Sequence, residues 1–359
     1  MDMILKEELK GEKMLVYPGS SETDVFIRYK PLLNGIERVV LAAPKGWTSP
    51  EHWNLSPPLL SFEEALPQCD SVLFLETEPK IQETSYESKM REALQAKKTV
   101  YLGGSPEFLS RTSIPQNMVT RIGHEIFDYQ PAIKEVAPVF EIPVPIIYVL
   151  GFGPNTGKFD VQLELRAFFL KNGYSVSQIG SNIISTFFGF PSLPSIFEDP
   201  RLSIRQRMVS FNRYVYKKYT EEKPDLIIIG IPGGIFPLNS VMFEEMGEKA
   251  FLACQAVRPD LAVLCSYAHP LNQDYINEII QICKYRLNFD LRYFAVSATG
   301  ISILPDTQES EYIFYSSEIV EKEFLAQKQY DAVGVYNIMQ SEDMRAMCDA
   351  ILLELKNNF

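Results

Sequence analysis

The chain reads as α/β, two consecutive parallel-sheet domains, and three observations predict this. Its 359 residues, 46% of them hydrophobic, exceed what one core of ordinary size uses. Short apolar runs alternate with helix-like stretches along most of the length, the pattern of strands joined by crossover helices. A proline-rich stretch between residues 103 and 145, containing "SIPQ" and "YQPAIKEVAPVFEIPVPI", interrupts that alternation once. Prolines remove backbone donors and hold the preceding residue extended, so the break marks a boundary. The expected domains are residues 1–140 and 141–359.

In the first domain, apolar residues 14–17 form a strand, followed by a glycine turn and a helical segment from about Glu22. "IERVVLAAPKGW" supplies a second strand, "CDSVLFLET" a third, and "SKMREALQAKKTVYLGG" a helix feeding a fourth. The first turn, "YPGSSETD", lacks the G-x-G-x-x-G that lets a pyrophosphate approach the backbone. A Rossmann-like shape without a bound dinucleotide is the reading.

The second domain opens on strand "PIIYVLG" and helix "KFDVQLELRAFFLKNG". Strand "YSVSQIGS" follows, then a long irregular and helical stretch through "FNRYVYKKYTEEK" and strand "DLIIIGIPGG". A helix near "FEEMGEKAFLACQAV", strand "DLAVLCSY", helix "QDYINEIIQICKYRL", strand "LRYFAVSA", strand "YDAVGVYN" and a final helix complete it.

The join of its first strand and helix carries the chemistry. Gly151, Gly153, Asn155, Thr156 and Gly157 form a glycine-rich turn, and Lys158 starts the helix. Backbone N–H groups at such a turn, with a helix N-terminus behind them, attract an anion, and a lysine adds mobile charge. The spacing is G-x5-G-K, one residue longer than the usual phosphate loop. It resembles the longer loops of the dethiobiotin-synthetase-like branch of P-loop proteins, which implies a P-loop-NTPase-like second domain.

Metal handling is where this loop departs from that pattern. A working NTPase places Ser or Thr after the lysine to hold Mg²⁺; here Phe159 stands there. The second metal position is an acid at the end of a later strand, but "PDLIIIGIPGG" ends in Gly230, and its one acid, Asp225, precedes the strand. Asp160 reads as a favourable charge in the first helical turn more readily than as a ligand. No metal is therefore expected, and ATP is the one cofactor such a loop would take.

Gly230, Pro232, Gly233 and Gly234 lie in "GIPGGIFP", at the carboxyl end of a strand, where open α/β sheets place ligands. A ligand crevice and a tight turn explain them equally well. "QIGSNIISTFFGFPSLPSIF", with Phe187, Phe188, Phe190 and Phe197, covers the glycine turns, forms a groove for an apolar peptide or simply fills a core. Arg166, Arg201, Arg205 and Arg207 read as a solvated face, His269 as a surface-loop histidine with a conceivable acid–base role, and "SATG" at 297–300 as a crevice wall or plain turn.

A formal net charge of −12 argues against a nucleic-acid groove or an anionic membrane as main partner. The five cysteines show no CxxC pair and read as buried thiols of a reducing cytosol. No apolar run reaches the length of a membrane helix, and the acid-rich start is unlike a signal peptide, so a cytoplasmic location is expected. Three histidines, His52, His124 and His269, are too few for a histidine-rich metal site.

"LVYPGS", "LAAPKGW", "GFGPNTGKF", "YSVSQIGSN", "FGFPSLPS" and "DLIIIGIPGGIFP", spread over both domains, together resemble the clostridial peptide maturation system proteins. That resemblance implies work beside a short precursor peptide and a radical-SAM maturation enzyme, without assigning catalytic residues. Two functions follow. One is an accessory protein that binds precursor peptide or modifying enzyme through a decayed P-loop domain. The other is an ATP-dependent peptide-modifying enzyme using Lys158 for phosphate.

Overall fold

A computed structural model of the chain describes residues 9–20, 23–44, 59–76, 83–104, 113–123, 139–197, 199–235, 247–303 and 310–358. His52, His124, most of the proline-rich boundary, the "FP" of "GIFP" and the start of the "FEEMG" helix lie outside the described residues. Two compact units result: Met1–His124 with Ile183–Ser192, and Glu125–Asn182 with Leu193–Phe359. Residues 183–192, expected in the second domain, group with the first unit.

The first unit is a parallel sheet of β1 (Lys13–Tyr17), β2 (Arg38–Ala43), β3 (Leu60–Ser61), β4 (Ser71–Leu75), β5 (Thr99–Gly103) and β6 (Thr120–Ile122). Its spatial order is β3-β2-β1-β4-β5-β6, and every pairing is parallel. This 3-2-1-4-5-6 order is that of the Rossmann fold. Helices α1 (Val25–Arg28), α2 (Phe62–Ala65) and α3 (Glu83–Gln95) accompany it. A capping box starts α2, Ser61 accepting from the Glu64 amide and the Glu64 side chain from the Ser61 amide. Tyr17 packs edge-on to Phe62 and Phe74, at centroid distances of 5.2 and 5.9 Å, to centre one core.

Residues 183–192 complete this unit. Phe187 and Phe188 are fully buried against Phe26, at centroid distances of 5.7 and 5.5 Å, and Phe187 also meets Tyr101. Phe190 is buried as well, and Phe197 packs on Phe211 at 4.7 Å in the second unit. Of the readings given to this aromatic segment, core filling is the one observed; a peptide groove lined by these rings is not.

The second unit is a seven-stranded sheet with order β14-β15-β11-β10-β7-β9-β8. Its members are β7 (Ile146–Gly151), β8 (Val176–Ile179), β9 (Leu226–Gly230), β10 (Leu261–Ser266), β11 (Tyr293–Val296), β14 (Gln329–Tyr330) and β15 (Val333–Asn337). All pairings are parallel except the edge pair β14–β15. All six residues of β7 are buried, as a central strand covered on both faces requires. Helices α4 (Lys158–Lys171) and α8 (Ser341–Asn358) cover one face through Val161, Leu165, Phe169, Met347 and Ile351. The other face packs α5 (Ile204–Glu222), α6 (Glu248–Ala256) and α7 (Gln273–Arg286) through Phe211, Ala253 and Ile279.

From β7 the chain crosses to edge strand β8, returns to β9, and then passes to β10 on the opposite side of β7. The reversal makes the carboxyl end of β7 a topological switch point, where open α/β sheets bind ligands. Strand, glycine loop and helix at that point define a P-loop-NTPase-like domain. A β-hairpin of β12 (Thr299–Ile303) and β13 (Ser310–Phe314) was not expected: Thr299 and Gly300 of "SATG" open a strand and are no plain turn. Alternation there is hidden because only two residues separate the end of β11 from the start of β12.

Candidate phosphate-binding site

Two glycine turns that are far apart in sequence meet at one lysine. Strands β7 and β9 are neighbours, with Val149 opposite Gly230, and the Ile231 amide donates to Val149 O at 3.0 Å. This register sets residues 231–235 beside the 151–157 loop. Lys158 Nζ donates to Gly153 O at 2.6 Å and to Gly233 O at 2.9 Å, so its ammonium joins both turns. Lys158 is 8% exposed, and hydrogen bonds to a charged group of this kind contribute about 1.5–3 kcal/mol each.

The loop owes its shape to backbone conformations and close neighbours. Asn155 and Gly157 have φ of 58° and 73°, left-handed values that turn successive amides toward one side. Gly157 caps α4, whose first N–H groups have no acceptor within the helix. Thr156 Oγ1 donates to Gly153 O at 3.0 Å, Tyr267 Oη to Pro154 O at 2.7 Å, and the Phe152 amide to Cys265 O at 3.0 Å. A Cβ on Gly151 would meet Thr156 Oγ1 at 2.5 Å, and one on Gly153 would collide with Tyr267 Oη. Gly157 faces Ile338 and, more distantly, Ser297. The β7–β9 pairing and the two Lys158 bonds thus set the 151–158 and 230–234 turns side by side.

The positions that hold Mg²⁺ in an NTPase are filled by other chemistry. Phe159 is buried, its ring unable to coordinate a hard cation. At the end of β9, Gly230 leaves room for the Gln162 amide, which a Cβ would overlap. Gln162 is fully buried: Nε2 donates to Lys158 O at 2.9 Å and Ser181 Oγ at 2.7 Å, and Oε1 accepts from the Ser181 amide at 3.1 Å. A neutral, saturated amide thus stands where an acid would bind metal through water. Among the described residues no cluster of three or more His, Cys, Asp or Glu could hold a metal ion, and the one carboxylate of the loop–helix join, Asp160, stands in the first turn of α4. The acid before the strand, Asp225, instead accepts from Ser175 N and Oγ at 2.7 and 2.6 Å. Gln162 was invisible to sequence reasoning because its partner is a glycine 68 positions away.

Other expected residues find structural duties. Arg166 is half-buried and donates to Val176 O at 3.2 Å, and Arg207 donates to Phe197 O and Glu248, so neither belongs to a solvated face. Arg201 pairs with Asp199 and, like Arg205, is exposed. His269 is not a plain surface histidine: it stacks on Phe152 and meets Tyr275 edge-on, Nδ1 lies 3.0 Å from Pro270 O, and burial pulls its pKa down. All five cysteines are buried free thiols, and burial pushes Cys265 and Cys283 up to about 12, far from a nucleophile's range.

No protein-family model matches the chain, and none of the curated proteins does. Among solved structures, a DUF1611 family protein from Anabaena variabilis matches with a TM-score of 0.52 and 13% identity, over 80% of this chain and 87% of its own. That likeness extends the shared fold over both units. Weaker overlaps include a nucleotide-binding protein from Archaeoglobus fulgidus in complex with ADP (TM-score 0.30, 16% identity, 57% of this chain and 85% of that one). A GTPase in apo form from Pyrococcus abyssi gives 0.33 and 16%, over 59% and 97%. Among the described residues no helix is long and apolar enough to cross a membrane.

Proposed function

We propose that this protein binds the phosphate group of a nucleotide such as ATP without a metal ion and does not hydrolyse it. The observation that supports this reading is Lys158 held between two glycine turns while Phe159 and the Gln162–Gly230 pair take the metal positions. An anion at the loop would meet the ammonium and the first amides of α4, whose N-terminal dipole adds about 0.3–1 kcal/mol. Hydrolysis would require charge neutralisation by Mg²⁺ and an oriented water, and neither Phe159 nor Gln162 is a ligand for that cation.

The setting we propose is cytoplasmic maturation of a ribosomally made peptide. There the domain serves as an accessory that engages the precursor peptide or a radical-SAM modifying enzyme. Sequence resemblance across both units supports that setting. Two measurements test the reading. Phosphate release from ATP with excess Mg²⁺ should stay at the background of a Lys158→Ala control, with and without precursor peptide; Lys158-dependent turnover would favour the ATP-dependent enzyme. Titration with a synthetic precursor peptide, and separately with the radical-SAM enzyme, should give saturable binding to one of them; none to either would remove the peptide setting.

A further inference from the structure

Lys158 ties the glycine loop to the turn after β9; on the other side of β7 stands β10, and just past its end Tyr267 reaches the same loop. We propose that Tyr267 is a positioning residue of the phosphate site: its hydroxyl, bonded to Pro154 O, holds the Pro154–Asn155 peptide unit so that the Asn155 N–H is presented to the anion. The proposal rests on the phosphate-binding reading above and adds a residue that lies outside the loop motif.

Three observations carry it. First, the buried Tyr267 donates from Oη to Pro154 O at 2.7 Å, and its ring is backed by that of Tyr312 at a centroid distance of 6.4 Å. The Pro154–Asn155 peptide is trans, and in a trans unit the C=O and the following N–H point in opposite directions. Holding Pro154 O toward Tyr267 therefore turns the Asn155 N–H away from it. Among the described residues that amide has no acceptor, whereas the Phe152 amide is already bonded to Cys265 O. Second, Asn155 has φ of 58°, a left-handed conformation unfavourable for a residue with a side chain, although asparagine tolerates it better than most. Turning the 154–155 unit over would relieve that φ and swing the N–H to the Tyr267 side. The bond from Tyr267 opposes this rotation. Third, the preceding unit has no N–H to lose. Gly153 O accepts from Lys158 Nζ at 2.6 Å and from Thr156 Oγ1 at 3.0 Å, and the nitrogen of that same unit belongs to Pro154, which carries no hydrogen. The loop can thus turn this carbonyl onto its own lysine without removing a donor, and the next unit, 154–155, is left to supply one.

Pyrophosphate in EDTA, added to the full chain, is the probe. In wild-type protein labelled with ¹⁵N-asparagine, saturating pyrophosphate should move the Asn155 backbone amide resonance downfield; the peak is identified by its loss in Asn155→Gly. Tyr267→Phe, which keeps the ring and removes the hydroxyl, should bind pyrophosphate about tenfold more weakly by calorimetry, with the Asn155 shift lost. Adding Asn155→Gly to Tyr267→Phe should bring the affinity back to within about threefold of the wild type, because glycine takes a positive φ without strain. A loss caused by disturbed packing would not be repaired in this way. The proposal is overturned if the wild-type Asn155 resonance stays in place while pyrophosphate binds, a result that holds even where Tyr267→Phe fails to fold. It is overturned too if Tyr267→Phe binds like the wild type, or if Asn155→Gly leaves its loss unrepaired, which would mark the tyrosine as packing alone. Failure of pyrophosphate, ADP and ATP alike to bind the wild type overturns the phosphate-binding reading, and the role of Tyr267 with it.

Discussion

Both units set a glycine-bearing turn at the carboxyl end of a central parallel strand, yet the two turns differ in every feature that matters to an anion. After β1, the Gly19 amide donates to Ala42 O of β2 at 2.6 Å and the Ser20 amide to Thr23 Oγ1 at 2.7 Å, so both donors are already taken. A Cβ on Gly19 would come within 2.5 Å of Leu59, and the helix that follows, Val25–Arg28, is four residues long. After β7, two residues with positive φ lead into a 14-residue helix, with Lys158 beside them. The comparison teaches that sheet order, even the Rossmann order, does not make a phosphate site. Only the second turn combines left-handed residues, a long helix behind them and a lysine bonded to the loop.

The largest expected effect breaks the comparison at its centre. Lys158→Ala should lower affinity for pyrophosphate or ATP by about 100-fold, roughly 2.7 kcal/mol, by calorimetry. Gly19→Ala in the first unit should leave that affinity unchanged. Next in size, Gly230→Ala should cost about 1–3 kcal/mol in urea unfolding, because its Cβ displaces the hydrogen-bonded Gln162 amide. Adding Gln162→Ala should recover part of that loss, a non-additivity read from a double-mutant cycle; strict additivity would show that the two residues do not interact.

Gly19→Ala itself should cost about 1 kcal/mol, since the atom it meets first is the flexible end of Leu59. The smallest effect concerns pH. His269 has its pKa lowered by burial, so the folded state binds fewer protons than the unfolded one as pH falls below the ordinary value of 6.5. Stability contributed by neutral His269 is present above that pH and is lost on acidification toward the folded pKa. His269→Phe should flatten the urea midpoint over that window, and an unchanged slope would locate the acid sensitivity elsewhere.

Much of this was legible in the sequence. The strand–glycine–lysine–helix run, the missing hydroxyl at Phe159 and the missing acid at Gly230 are local, and local patterns survive in one dimension. That the 151–158 and 230–234 turns lie side by side follows only from β7 pairing with β9. The Gln162 amide over Gly230 needed the fold as well. Residues 183–192 left alternatives open because an aromatic run with glycine and prolines looks the same whether it lines a groove or fills a core; the burial of Phe187 and Phe188 against Phe26 decides for the core. Arg166 misled for a related reason, since a helix arginine pointing at a buried strand carbonyl has the same sequence as a solvated one.

The central claim is that the loop takes phosphate without metal. Calorimetric titration of the wild type with ATP, once in EDTA and once in excess Mg²⁺, tests it most directly. The account predicts saturable binding in EDTA, no more than a few-fold change on adding Mg²⁺, and loss of binding in Lys158→Ala under both conditions. Binding that appears only with Mg²⁺ would contradict it, and so would binding that Lys158→Ala leaves intact.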